Sequence, residues 1–174
     1  MRILFLLFFC SFTGADLRVN EKILGGHNCK EDEAQYYVAV CKGQCDKRMD
    51  IICGGTLIRP DWVLTAARCD LPLSLSPIDP LKYPLFTDKL QCVTINLTKC
   101  PENLDNNPKY SKNRFCAGGG GKATRPGDSG GGLVINSTVY GIVHRGNNID
   151  TAGNTPGIYI NVCAFRDWIM KTAV

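Results

Sequence analysis

Ser129 is the residue of this sequence best placed to do chemistry. It stands in Arg125-Pro126-Gly127-Asp128-Ser129-Gly130-Gly131-Gly132, a glycine-rich turn that leads into the apolar Leu133 and Val134. A serine hydroxyl becomes a useful nucleophile only when a neighbouring base takes its proton. The other half of the chain carries Trp62-Val63-Leu64-Thr65-Ala66-Ala67, which reads as the end of a buried strand and runs into Arg68 and Cys69. An arginine cannot serve as that base, because a guanidinium stays protonated and carries donors only. The sequence holds two histidines, His27 and His144.

The elements that would position these residues are mostly strands. In a chain of 174 residues with 18 glycines and nine prolines, short apolar runs alternate with turn residues. The segments 36–41, 51–58, 90–97, 131–135, 138–143 and 157–162 read as strands bounded by Gly, Pro or Asn. Residues 72–86 carry four prolines and are the best candidate for a linker. Only the end reads as helical: Phe165, Trp168 and Ile169 fall at i, i+3 and i+4, one apolar face. There is no internal repeat and no low-complexity tract.

The compartment follows from the N-terminus and the cysteines. Arg2, the ten-residue apolar run 3–12 and the small residues Thr13, Gly14 and Ala15 form an export signal over 1–15, too short to span a bilayer. Cys10 would leave with it, so nine of the ten cysteines remain. An oxidising route makes a disulfide framework the default, with at least one cysteine over. Zinc is the rival at Cys41 and Cys45, whose spacing can hold metal, but no second close pair completes four ligands. No cofactor is indicated. The net charge of +4 is scattered, which supports neither a nucleic acid nor a membrane partner. Asn96 and Asn136 each open an Asn-x-Ser/Thr sequon.

Several segments together resemble, in order, those of trypsin-type serine proteases in zymogen form. Glu21-Lys22-Ile23-Leu24-Gly25-Gly26 resembles the activation site, residues 53–69 the histidine motif, and Gly127-Asp128-Ser129-Gly130-Gly131 the nucleophile motif. Leu90-Gln91-Cys92, Phe115-Cys116-Ala117-Gly118 and residues 155–169 extend the likeness over most of 20–174. The resemblance implies an all-β fold of two antiparallel β-barrels with a cleft between them. Here the N-terminal barrel would be incomplete and the chain would end in an α-helix. The implied organisation is a signal peptide 1–15, an activation peptide 16–22, a truncated N-terminal barrel and linker 23–81, and a C-terminal barrel with its helix 82–174.

The resemblance also assigns roles. Arg68 falls where the family has its catalytic histidine. The segment after Cys69 is too short for the strand bearing the family's aspartate, and Asp70, Asp79 and Asp88 stand there in linker-like context. Ser129 falls at the nucleophile, and the N–H groups of Gly127 and Ser129 at the oxyanion hole. Asp128 matches the carboxylate that pairs with the amine of Ile23, freed by a trypsin-like protease cutting after Lys22. Ala123, six residues before Ser129, stands where trypsins carry the aspartate that receives Lys or Arg. Arg125 replaces a family cysteine, and Arg145 replaces the tryptophan that walls the pocket. His144 is a possible substitute base without an acid to orient it, and His27 has less claim. The implied disulfides are Cys29–Cys92, Cys53–Cys69 and Cys100–Cys116. Any two of Cys41, Cys45 and Cys163 could pair, with Cys163 the expected odd one.

The expectation is a secreted trypsinogen-like protein that lacks the catalytic His and Asp and acts, if at all, by binding. A partner would cover the surface left by the incomplete barrel. A weak hydrolase using Ser129 and the oxyanion hole, and a degenerate, poorly folding paralogue, are the alternatives.

Overall fold

The structure is a computed structural model that describes residues 17–20, 23–42, 51–69, 73–77, 90–101, 112–125, 127–145 and 153–174. The expected signal segment, Lys22, Cys10, Cys45, Asp70, Asp79 and Asp88 lie outside the described residues. Twelve strands run in chain order. They are β1 (Leu17–Asn20), β2 (His27–Asn28), β3 (Tyr37–Lys42), β4 (Ile51–Arg59), β5 (Trp62–Leu64), β6 (Leu73–Pro77), β7 (Gln91–Ile95), β8 (Leu97–Thr98), β9 (Arg114–Ala117), β10 (Gly132–Ile135), β11 (Thr138–Arg145) and β12 (Gly157–Asn161). One helix, α1 (Arg166–Thr172), closes the chain. No helix among the described residues is long and apolar enough to cross a membrane.

The strands form two sheets. One has four strands in the order β5-β4-β3-β6, and the other has eight in the order β2-β7-β1-β10-β11-β12-β9-β8. Every pairing is antiparallel. The smaller sheet does not close and leaves β5 and β6 as its edges, which is the incomplete first barrel the sequence predicts. The proline-rich segment is more than a linker, because its Leu73-Ser74-Leu75-Ser76-Pro77 portion pairs along β3 as β6. Pro77 is compatible with this because it stands at the end of an edge strand.

Two apolar clusters hold the sheets. Val93, Ile95, Ala117, Leu133, Val143 and Tyr159 fill the larger sheet, with Ile23 and Phe115 packed on them. Val40, Cys53, Ala66 and Cys69 of the smaller sheet's side meet Ile142 and Val162 of the other, so the second cluster binds the sheets to each other. Burying one such Val or Ile side chain contributes about 1.5–3 kcal/mol. The β10–β11 hairpin turns through Asn136 (φ 46°) and Ser137 (φ 60°). Two successive positive φ values suit the right-handed twist of the flanking strands.

Helix α1 begins where a helix is expected, but its apolar residues divide differently. Ile169 packs on the second cluster and Ala173 is buried, whereas Trp168 is 60% and Phe165 39% exposed. Phe165 belongs to the preceding 3-10 turn Val162–Phe165 and is therefore out of register with the helix.

Cys29–Cys92, Cys53–Cys69 and Cys100–Cys116 are all disulfide-bonded. Cys41 and Cys163 are disulfide-bonded as well, so the expectation of an unpaired Cys163 is corrected. The described residues contain no free cysteine. The pairing of Cys41 also takes away one ligand of the zinc alternative, since a disulfide sulfur is no thiolate.

Candidate functional site

Arg68 and Ser129, 61 residues apart in the chain, meet where the two sheets face each other. Two fastenings bring Arg68 there. β5 pairs with β4, and the turn after it is closed by Cys69 N–H donating to Ala66 O at 2.8 Å. The Cys53–Cys69 disulfide then ties that turn to β4. Arg68 is the residue before the tie, and its guanidinium donates a hydrogen bond to Ser129 Oγ.

Ser129 is held from both sheets. Gly54 N–H of β4 donates to Ser129 O at 2.8 Å, and Gly130 N–H donates to Val143 O of β11 at 2.9 Å. Gly130 has φ +89°, and a Cβ there would run into Thr65 Oγ1 and the Gly54 carbonyl. Glycine is therefore required at this position on two counts, conformation and space. Thr65 Oγ1 donates in turn to Gly54 O at 2.7 Å. Ser129 is 8% exposed and Asp128 1%.

The turn before the serine is organised by Asp128. Its Oδ2 accepts from Arg125 N–H at 2.6 Å, and its own N–H donates to Arg125 O at 3.0 Å. Gly127 takes φ +100°. Neither the Gly127 N–H nor the Ser129 N–H has a hydrogen-bond acceptor among the described residues. Both N–H groups thus remain available for an incoming oxyanion.

The neighbourhood is cationic. Burial is the first cause that lowers the His144 pKa from its ordinary value, and the positive charges of Arg114, Arg68 and Arg145 lower it further. Burial and then Arg145 lower that of Arg68. No carboxylate enters either set of causes. A neutral imidazole can accept a proton, but three nearby cations oppose its doing so, and nothing described orients it. Arg114 carries no local signal in the sequence. It faces this place because β9 pairs with β12 and β12 with β11.

The other expected residues lie as follows. Ile23 packs on the larger sheet's core, and Leu24 forms an isolated bridge with Ala123, Leu24 N–H to Ala123 O at 2.9 Å. The buried Ala123 presents a methyl group and no carboxylate. Next to it Thr124 Oγ1 is buried without a partner among the described residues. His27 lies away from the serine and contacts Glu33 at 3.2 Å. His27, Glu33 and Cys92 cluster, but Cys92 is disulfide-bonded and offers no thiolate to a metal. Asn96 and Asn136 are both exposed, Asn136 at the hairpin tip.

The sequence matches the trypsin family profile over residues 23–72 and 80–169. It is 26% identical to kallikrein 1-related peptidase b27 of Mus musculus over 266 aligned positions, covering 99% of this chain and 98% of that protein. It is 29% identical to the thrombin-like enzyme acutin of Deinagkistrodon acutus over 227 positions, covering 86% and 94%. Both alignments are longer than the 174-residue chain, so many of their positions hold no residue of it. Among solved structures the fold is similar to neuropsin, a serine protease expressed in the limbic system of mouse brain, with a TM-score of 0.66 at 20% identity over 87% of this chain and 100% of that one. The chain belongs to the trypsin family of serine proteases.

Proposed function

We propose that this is a secreted, zymogen-like member of its family in which the serine is not activated, and that it acts by binding. The observation that carries this reading is the guanidinium of Arg68 donating to Ser129 Oγ. A hydroxyl engaged by a permanent cation loses no proton to it, and the attack that begins acyl transfer has no base. The shift of His144 away from protonation and the lack of a described carboxylate beside it support the same conclusion. The disulfide framework supports an extracellular location. The open edges β5 and β6 support a protein partner on the smaller sheet, and the arginines around the cleft favour an acidic one. Cutting after Lys22 by a trypsin-like protease would free the Ile23 amine for Asp128.

The decisive experiment secretes the protein, cuts it after Lys22 and exposes it to a serine-directed covalent probe. No labelling above a Ser129→Ala control is expected. Stoichiometric labelling at Ser129 would sink the reading. One observation favours a second reading, that of a weak hydrolase: the Gly127 and Ser129 N–H groups are not engaged by any described residue. It predicts turnover of activated esters that Ser129→Ala abolishes.

A further inference from the structure

The segment Leu17–Asn20 lies outside the region that matches the trypsin family, which begins at Ile23. Yet it holds the third place in the eight-stranded sheet, with β7 on one side and β10 on the other. Along β7 it is in register over its whole length, Leu17 opposite Ile95, Arg18 opposite Thr94, Val19 opposite Val93 and Asn20 opposite Cys92. Along β10, Arg18 stands opposite Val134 and Val19 opposite Leu133. Without this segment β7 and β10 would not be neighbours, and each would present a bare edge of N–H and C=O groups.

The connection that follows is equally specific. His27 of β2 also pairs with Cys92, from the opposite side of β7 to Asn20. The link 21–26 therefore carries the chain from one edge of β7 to the other. Beyond the Lys22–Ile23 bond the chain is held independently, by Ile23 in the core and by Leu24 on Ala123. Breaking that bond leaves anchors on both sides of the cut.

We infer that the place between β7 and β10 is a strand-acceptor site for an extended peptide, that its occupant is this chain's own Leu17–Asn20, and that the segment stays in the sheet as a separate peptide after cleavage at Lys22–Ile23. Recognition is through the backbone, in the manner of strand addition to a sheet. This goes beyond the proposed binding role and does not depend on the state of Ser129. On this inference the segment before the cut is a structural part of the larger sheet, and cleavage makes a two-chain protein.

Hydrogen exchange on the intact secreted protein tests the first half. Amides of 17–20 should exchange at least about tenfold more slowly than in an unstructured peptide, in step with 91–95 and 132–135. Exchange at the unstructured rate overturns the inference. Val19→Pro removes a backbone N–H from a strand paired on both sides and should speed exchange in 91–95 and 132–135 while leaving 37–42 and 51–59 unchanged. Should that variant not be secreted, the exchange of the unmodified protein still decides. For the second half, the protein is cut until N-terminal sequencing reads Ile23-Leu24-Gly25-Gly26, then passed over a size column. Co-elution of the peptide with a monomeric body, seen by native mass, is the expected result. A peptide that separates overturns it, as does a dimer held by exchanged N-terminal segments.

Discussion

Replacing Arg68 by histidine should not restore proteolysis. The substitution removes the guanidinium from Ser129 Oγ and returns an imidazole to a position fixed by the Cys53–Cys69 disulfide. An imidazole acting as base needs an acid to hold its tautomer and to stabilise the cation it becomes, and disabling that acid alone lowers kcat about 10⁴-fold in serine proteases. At about 1.36 kcal/mol per tenfold, this is a deficit of about 5.4 kcal/mol in the barrier. The local field adds to the deficit, since burial and arginine charges already disfavour protonation of His144 and oppose Arg68. The assay is hydrolysis of a panel of peptide esters and amides by the cut Arg68→His protein, beside Ser129→Ala. Amide turnover should match the control. Turnover at least about tenfold above it, and blocked by a serine-directed inhibitor, would show that a working acid stands near the cleft and that the pseudoenzyme reading is wrong.

Acid should weaken the fold in a window set by His144. Its pKa is lowered in the folded protein from the ordinary 6.5 that it regains on unfolding, so between the two values the unfolded chain holds the extra proton and stability falls as pH falls. Melting temperature against pH should show this below about pH 6.5, and His144→Gln should flatten it. Removing the Cys53–Cys69 bridge by a paired Cys→Ala change should cost about 3 kcal/mol in urea unfolding, the value for a loop of this length, given a separation of 16 residues. Gly130→Ala meets both a positive φ and the Gly54 carbonyl, so it should cost more than about 3 kcal/mol and abolish secretion. Asn96→Gln and Asn136→Gln should each remove one glycan step in electrophoretic mobility, as both side chains are exposed.

Much of the site was legible because its signals are local. The Ser129 turn, Arg68 beside Cys69, and the three disulfides all lie within segments whose residue types and order are distinctive. The strands at 51–59, 132–135 and 157–161 were readable from apolar runs between turn residues. What escaped depends on distant partners. Leu73-Ser74-Leu75-Ser76 alternates as a strand does, but the surrounding prolines hid it, and only pairing with β3 shows it to be one. Four residues at 17–20 carry too little pattern to declare a strand, let alone its place between β7 and β10. Arg114 reaches the serine's neighbourhood through two successive strand pairings that no spacing encodes. At the helix, the 3.6-residue period was right and the buried face was not, because the preceding 3-10 turn set Phe165 off that period.

The place of β1 has a consequence for how the chain is made. It is synthesised before every other described strand, yet its partners are Cys92 to Ile95 and then Leu133 and Val134. Contacts of such sequence separation slow folding, since loop closure must precede the reward. During synthesis β1 waits unpaired until most of the chain has emerged. The Cys29–Cys92 bridge can form earlier, once residue 92 is out, and it fixes β2 on one edge of β7 while the other edge is still empty. The larger sheet therefore assembles from the middle of the chain outward and receives its first-made strand last, so oxidation of Cys29 and Cys92 sets the earliest moment at which that strand can find a stable edge.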